Sequence, residues 1–258
     1  MAFSDDGYEI CRGLIARDKI ESIRRKMLAI MAPFCDYPLD RSDSLDKYFV
    51  EISGRSQDLK SNVYTLFGRL ADLPLLLSDE KICGVLEGLG FSVYTIQAYS
   101  IFCLEPYNER HLFVPHQDLK DRTSLNSMII WVPLSSGRDL GGIAFYPGSH
   151  KKGPIRHELS PSGQLQLPES AYRGHEKVSL TDFEIGDCLF LSPYLIHESV
   201  INAGERIRWT AVVKIDDAIG ITHVVDSLHP FVVTDYIDTR SNEERVREAE
   251  FKRRKPST

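Results

Sequence analysis

Hydrophobic positions along the chain change their period near residue 90. Before it, Ile20, Ile23, Met27 and Ile30 recur at three- and four-residue intervals, as do Leu59, Val63, Leu66, Phe67 and Leu70. That spacing gathers apolar side chains onto one face of a helix. Ser78, followed by Asp79 and Glu80, reads as the N-cap of a further short helix with an acidic first turn, ended by Gly88 or Gly90. The first third of the chain is therefore predicted to be mainly helical.

From Ser92 onward the runs are short, β-branched and aromatic: residues 93–99, 128–132, 143–146, 188–191 and 209–213, separated by Gly, Pro, Asn and Asp. Strands spaced in this way, without helical crossovers, predict a sandwich or jelly roll rather than a parallel α/β sheet. No repeat or low-complexity linker divides the chain. It reads as one mainly β domain with flanking helices over 1–258: a helical flank at 1–90, a jelly-roll core at 91–216 and a C-terminal extension at 217–258. Within that extension Arg240 to Thr258 is dense in both charge signs, which reads as a surface helix or frayed tail.

Composition narrows the function classes. A length of 258 residues suits a single domain with an ample core. The net charge of -6 argues against a sequence-independent grip on nucleic acid, which needs a basic face. The start lacks a basic segment followed by an apolar one, and no apolar run reaches the roughly 18 residues that span a bilayer. A cytoplasmic protein without membrane partners is the expectation, and its oligomeric state is not legible. Five cysteines, odd in number and without a CxxC pair, read as reduced structural thiols.

Candidate chemistry centres on Val114-Pro115-His116-Gln117-Asp118-Leu119. In a segment that otherwise reads as strand, His116 and Asp118 would project from one face and could grip one metal ion. His197, beside the end of a later core strand, would complete a two-histidine, one-carboxylate triad of the kind that holds non-haem Fe(II) with positions left open. The His-x-Asp spacing alone is common by chance among eight histidines, so its companions carry the weight. Gly186-Asp187 closes a turn before the apolar strand 188–191, and Arg208 heads the strand Arg208-Trp209-Thr210-Ala211-Val212. Arg208 and Thr210 share one face by alternation; if that face lines a barrel, it buries a cation without a sequence-local partner, a site for an acidic ligand. A guanidinium binds a carboxylate bidentately and a hydroxyl adds a further bond. Arg206 has the same parity, but Arg208 opens the continuous apolar run.

With these residues in place, the chain resembles the phytanoyl-CoA dioxygenase family of Fe(II)- and 2-oxoglutarate-dependent oxygenases. The resemblance rests on His116-Gln117-Asp118-Leu119, Trp131-Val132-Pro133-Leu134, Pro147-Gly148-Ser149-His150, Gly186-Asp187, His197 with Asn202, and Arg208-x-Thr210 where the family has Arg-x-Ser. The opening Asp6-Gly7-Tyr8 before a helical segment fits as well. Leu140-Gly141-Gly142-Ile143 departs from the family's polar residue before its glycine-rich strand.

The resemblance implies a double-stranded β-helix buttressed by helices. It implies iron ligation by His116, Asp118 and His197, and 2-oxoglutarate held by Arg208 and Thr210 in a pocket lined by Trp131. It also implies consumption of O2 with release of succinate and CO2 as a substrate C–H bond is hydroxylated. Retention of Asp118 favours hydroxylation over halogenation, in which a small residue replaces the carboxylate.

Gln97 and Tyr99, alternating onto one face with Thr95, are candidates for the substrate side. Residues 119–124 and 157–178 read as lid or substrate loops. Their Lys120, Arg122, Arg173 and Glu176, with Arg156, point to a small polar or anionic substrate. His150 reads as fixing its Pro-Gly turn, and His111, His157, His175, His223 and His229 as surface or structural. Two other classes stay open: a cupin-type jelly-roll metal protein with isomerase or lyase chemistry, and a non-catalytic binding module on the same fold.

Overall fold

The computed structural model describes residues 2–36, 45–109, 112–119, 124, 126–159 and 165–219. The helices are α1 (Ala2–Asp6), α2 (Arg17–Met31), α3 (Leu45–Arg55), α4 (Gln57–Phe67), α5 (Asp72–Leu75) and α6 (Glu80–Gly88). Two departures from the sequence reading fall in this region. Tyr8 opens a strand, β1 (Tyr8–Cys11), before the helices begin in earnest. The cap of α6 is Asp79 rather than Ser78, because the Asp79 carboxylate accepts from the Lys81 amide at 2.9 Å.

The remaining strands are β2 (Tyr94–Leu104), β3 (Ser127–Pro133), β4 (Gly142–Phe145), β5 (Glu158–Leu159), β6 (Leu165–Gln166), β7 (Val178–Leu180), β8 (Cys188–Leu191), β9 (His197–Val200) and β10 (Arg208–Asp217). They form a five-stranded antiparallel sheet in the order β1-β8-β3-β10-β2, a three-stranded sheet β7-β4-β9, and the small β5-β6 pair. The two larger sheets face each other as a jelly roll. Among the described residues no helix is long and apolar enough to cross a membrane.

Alternation along the strands separates two cores. On the outer face of the large sheet, Met128, Ile130 and Val132 of β3 and Trp209, Ala211, Val213 and Ile215 of β10 pack against Ile20, Ile23 and Met27 of α2, Tyr48, Phe49 and Ile52 of α3, and Val63 and Phe67 of α4. On the inner face, Ile129, Trp131, Leu189, Leu191 and Val212 meet Ile143 and Phe145 of the small sheet. Both faces of β3 are covered, which is why it reads as an unbroken apolar run. Asp46 of α3 ties the helical layer to β10, accepting from the Trp209 indole at 2.8 Å and the Ile207 amide at 2.9 Å.

The same alternation turns Arg208, Thr210, Val212 and Lys214 toward the interior between the sheets. Opposite them on β2 lie Leu104, Phe102, Ser100 and Ala98, after which the register shifts at a bulge between Lys214 and Ile215. This bulge corrects the reading of Gln97 and Tyr99 as one polar face. Tyr99, paired with Val213, packs on the helix side, whereas Gln97 donates to Thr95 Oγ1 at 2.7 Å. An inserted residue breaks strict alternation, so parity could not be carried across it.

Candidate metal centre

His116 and Asp118 do not lie on a regular strand, contrary to the sequence reading; the segment makes one isolated bridge, between His116 and His197. Reciprocal backbone bonds at 2.9 and 3.0 Å set these two residues side by side, and Ser199 donates to the Phe113 carbonyl at 2.8 Å. Residues 113–116 thereby extend the small sheet beyond β9, and the Asp118 amide is anchored on the Pro193 carbonyl at 3.0 Å.

The three side chains meet at one point. One ligand atom from each of His116, Asp118 and His197 lies within 4.8 Å of the others, and the imidazole centroids are 4.2 Å apart. Nδ1 of His116 sits 2.8 Å from the Val114 carbonyl, and Nδ1 of His197 sits 2.9 Å from the Leu195 carbonyl. A carbonyl only accepts, so each Nδ1 carries the proton and each Nε2 keeps a lone pair for a metal. Nε2 of His197 faces Asp118 Oδ2 at 3.8 Å.

Burial, followed by the neighbouring His197, lowers the His116 pKa to about 4, which keeps its ring neutral. For Asp118 burial alone would raise the pKa, but Lys214 and the two imidazoles outweigh it and hold the carboxyl below its usual range. Two imidazoles and one carboxylate are the donor types that suit a divalent-cation site with open positions.

Gln117, between His116 and Asp118, is buried and turned the other way. Its amide nitrogen donates to the Tyr194 and Gly153 carbonyls at 2.6 and 2.9 Å, and its oxygen accepts from the Ile155 amide at 2.8 Å. His157 Nε2 accepts from the Gln117 backbone at 3.2 Å, and burial followed by the neighbouring His116 lowers its pKa. His157 is therefore structural at the centre itself, in a place its sequence surroundings did not betray. His150 braces Gly7 and approaches the Ser4 carbonyl at 3.3 Å, and His175 Nδ1 approaches the Pro147 carbonyl at 3.2 Å. His111, His223 and His229, Lys120 and Arg122, and the tail from Arg240 lie outside the described residues.

Deeper between the sheets, Arg208 donates to the Gly142 carbonyl and, at 3.3 Å, to that of Val200. It has no acidic partner among the described residues, and burial lowers its pKa to about 10. Two residues further along the same strand, Thr210 Oγ1 is buried without a hydrogen bond. An unneutralised guanidinium and an orphaned hydroxyl on one strand face fit an absent carboxylate.

Gly142, whose carbonyl takes the Arg208 bond, lies so close to β7 that a Cβ there would collide with the Leu180 carbonyl oxygen. Arg206, the rival cation, instead donates to the Ser136 carbonyl at 2.8 Å in an exposed bond. Trp131 faces inward and packs on Phe183, with centroids 4.6 Å apart. At the outer side of the centre, Phe113 lies 5.4 Å from the His116 ring and 5.9 Å edge-on from Phe102; the two phenylalanines are 52% and 37% exposed.

Residues 3–210 match the phytanoyl-CoA dioxygenase (PhyH) family. The 1-deoxypentalenic acid 11-beta-hydroxylase of Streptomyces arenae is 32% identical over 217 residues, spanning 78% of this chain and 72% of that protein. The enzyme of the same name from Streptomyces exfoliatus is 23% identical over 215 residues, with the same two shares. Among solved structures, the epimerase SnoN in complex with Fe3+, alpha ketoglutarate and nogalamycin RO superposes with a TM-score of 0.60 at 16% identity, over 93% of this chain and 89% of that one. At that identity the likeness is one of fold.

Proposed function

Because the chain belongs to the phytanoyl-CoA dioxygenase family and is an Fe(II)/2-oxoglutarate-dependent oxygenase that hydroxylates a small molecule, we propose that His116, Asp118 and His197 are its iron ligands. The observation that carries this assignment is the convergence of the three ligand atoms within 4.8 Å, with both Nδ1 protons committed to carbonyls. Arg208 and Thr210 bind the far carboxylate of 2-oxoglutarate, and Trp131 forms one wall of that pocket. The unmatched charge of Arg208 and the orphaned Thr210 hydroxyl support this placement.

When bound, iron and 2-oxoglutarate supply the oxidant, with O2 consumed and succinate and CO2 released. The protein's own work is to position and to exclude water. Gln117 and His157 hold the turn that carries two ligands, and the apolar wall of Ile129, Leu191 and Val212 keeps the interior dry.

The substrate approaches between β2 and residues 113–116, resting a hydrocarbon face on Phe113 and Phe102. The polar group that the loop charges point to would lie beyond this hydrocarbon face; of those loop charges, Arg173 is engaged by Glu169 at 3.3 Å on the exposed surface. Gln97 stays a candidate for a polar contact there, while Tyr99, on the helix side, does not. The setting is cytoplasmic, in keeping with five cysteines none of which forms a disulfide.

A succinate assay tests the reading, with a panel of small hydrocarbon-bearing substrates and added Fe(II) and 2-oxoglutarate. Substrate-stimulated succinate should vanish in His116→Ala and Asp118→Ala. Undiminished turnover in Arg208→Met without 2-oxoglutarate would instead favour the non-oxidative chemistry of a jelly-roll metal protein.

A further inference from the structure

Lys214 is a cation at the centre that the triad does not account for. It stands on the inner row of β10, four residues beyond Thr210, opposite Ala98 on β2 and Ile129 on β3. Its Nζ lies 3.3 Å from Asp118 Oδ1, while the other oxygen of the same carboxylate, Oδ2, faces His197 Nε2 at 3.8 Å. The two oxygens of Asp118 are thus assigned to different neighbours.

Two features of the fold aim the lysine. The small Ala98 side chain opposite leaves room for a long neighbour, and unbroken pairing of Lys214 with Ile129 on β3 keeps it in the inward row of β10.

We propose that Lys214 is a positioning residue that holds Asp118 Oδ1 and so presents the carboxylate to iron through Oδ2 alone. The inference rests on the iron-ligand assignment made above. A carboxylate free of this contact could turn both oxygens toward the metal and take up a position that 2-oxoglutarate or O2 needs; one tethered at Oδ1 cannot. Partners of ligating groups commonly control metal sites in this way, and their loss changes metal or cosubstrate binding by about 10- to 100-fold. A merely structural Lys214–Asp118 pair would leave coordination unchanged once the protein had folded.

The test uses Co(II), whose visible d–d spectrum reports coordination, with the full chain as wild type, Lys214→Met and Lys214→Arg. In Lys214→Met the Co(II) spectrum should change and the affinity of the Co(II)-loaded protein for 2-oxoglutarate should fall about tenfold or more. Lys214→Arg, which keeps a cationic donor, should restore much of both. A Lys214→Met protein with the wild-type spectrum and 2-oxoglutarate affinity within about twofold would overturn the proposal. Should circular dichroism show that Lys214→Met does not fold, Lys214→Gln carries the same comparison with the same two outcomes. If the wild type binds no Co(II) at all, the ligand assignment fails as well; if it binds Co(II) and Lys214→Met matches it in spectrum and 2-oxoglutarate affinity, the failure is confined to Lys214.

Discussion

Gln117 supplies no metal ligand, yet its amide group, donating two hydrogen bonds and accepting one, anchors the backbone between His116 and Asp118. Removing a buried amide strands its former partners, at about 1 kcal/mol or more for each bond. Gln117→Ala should therefore destabilise the metal-free protein by about 2–3 kcal/mol in urea unfolding. It should also weaken Mn(II) binding about tenfold or more, because the ligand pair loses its brace. A variant that binds Mn(II) as the wild type does would show that the backbone bonds of His116 and Asp118 suffice. At this scale the sequence was informative about identity and silent about support. The types of the proposed ligands and their order along the chain could be read directly, but His157 and Lys214 reach the centre from 40 and 96 residues away from their partners, a proximity that no local spacing encodes.

At the scale of elements, β10 is the member on which the site depends. Its outer row is held by the helices and its inner row carries Arg208, Thr210 and Lys214. Asp46 of α3 is a polar link between the layers, and Trp209, whose indole N–H it accepts, is 1% exposed. Asp46→Ala would leave that indole N–H and the Ile207 amide unpaired. The expected cost is about 2–4 kcal/mol, measurable by urea or thermal unfolding, with Asp46→Asn milder because one acceptor oxygen remains. An unchanged midpoint in Asp46→Ala would mean that apolar packing alone docks α3. Strand and helix periods were legible here because burial on one face or both imposes them, as for residues 188–191, whose predicted bounds are those of β8. The bulge beside Gln97 and the irregular path of residues 113–118 were not, since both depend on pairing with distant strands.

Across the whole molecule, the half-buried, neutral His116 couples the centre to global stability. Its folded pKa near 4 lies below the ordinary value of 6.5, so the unfolded chain takes up more protons between those limits. Stability of the metal-free protein should be complete above about pH 6.5 and fall as pH drops toward 4, with the lowered carboxyl of Asp118 extending the loss into more acid solution. Urea midpoints measured from pH 7.5 to 4.5 check this; His116→Asn should flatten part of the slope, and a pH-independent wild type would contradict it.

By itself the sequence determined the residue types of the donor set, their order, the layered mainly β architecture and the cation opposite a missing acid. Each of these follows from short-range periodicity or from chemistry that a side chain carries anywhere. Only the tertiary structure decided that Arg208 rather than Arg206 turns inward, that Tyr99 belongs to the helical face, and that Asp118 is shared between a histidine and a lysine. Those outcomes depend on register, bulges and contacts between strands remote in sequence, where a shift of one residue reverses the face a side chain occupies.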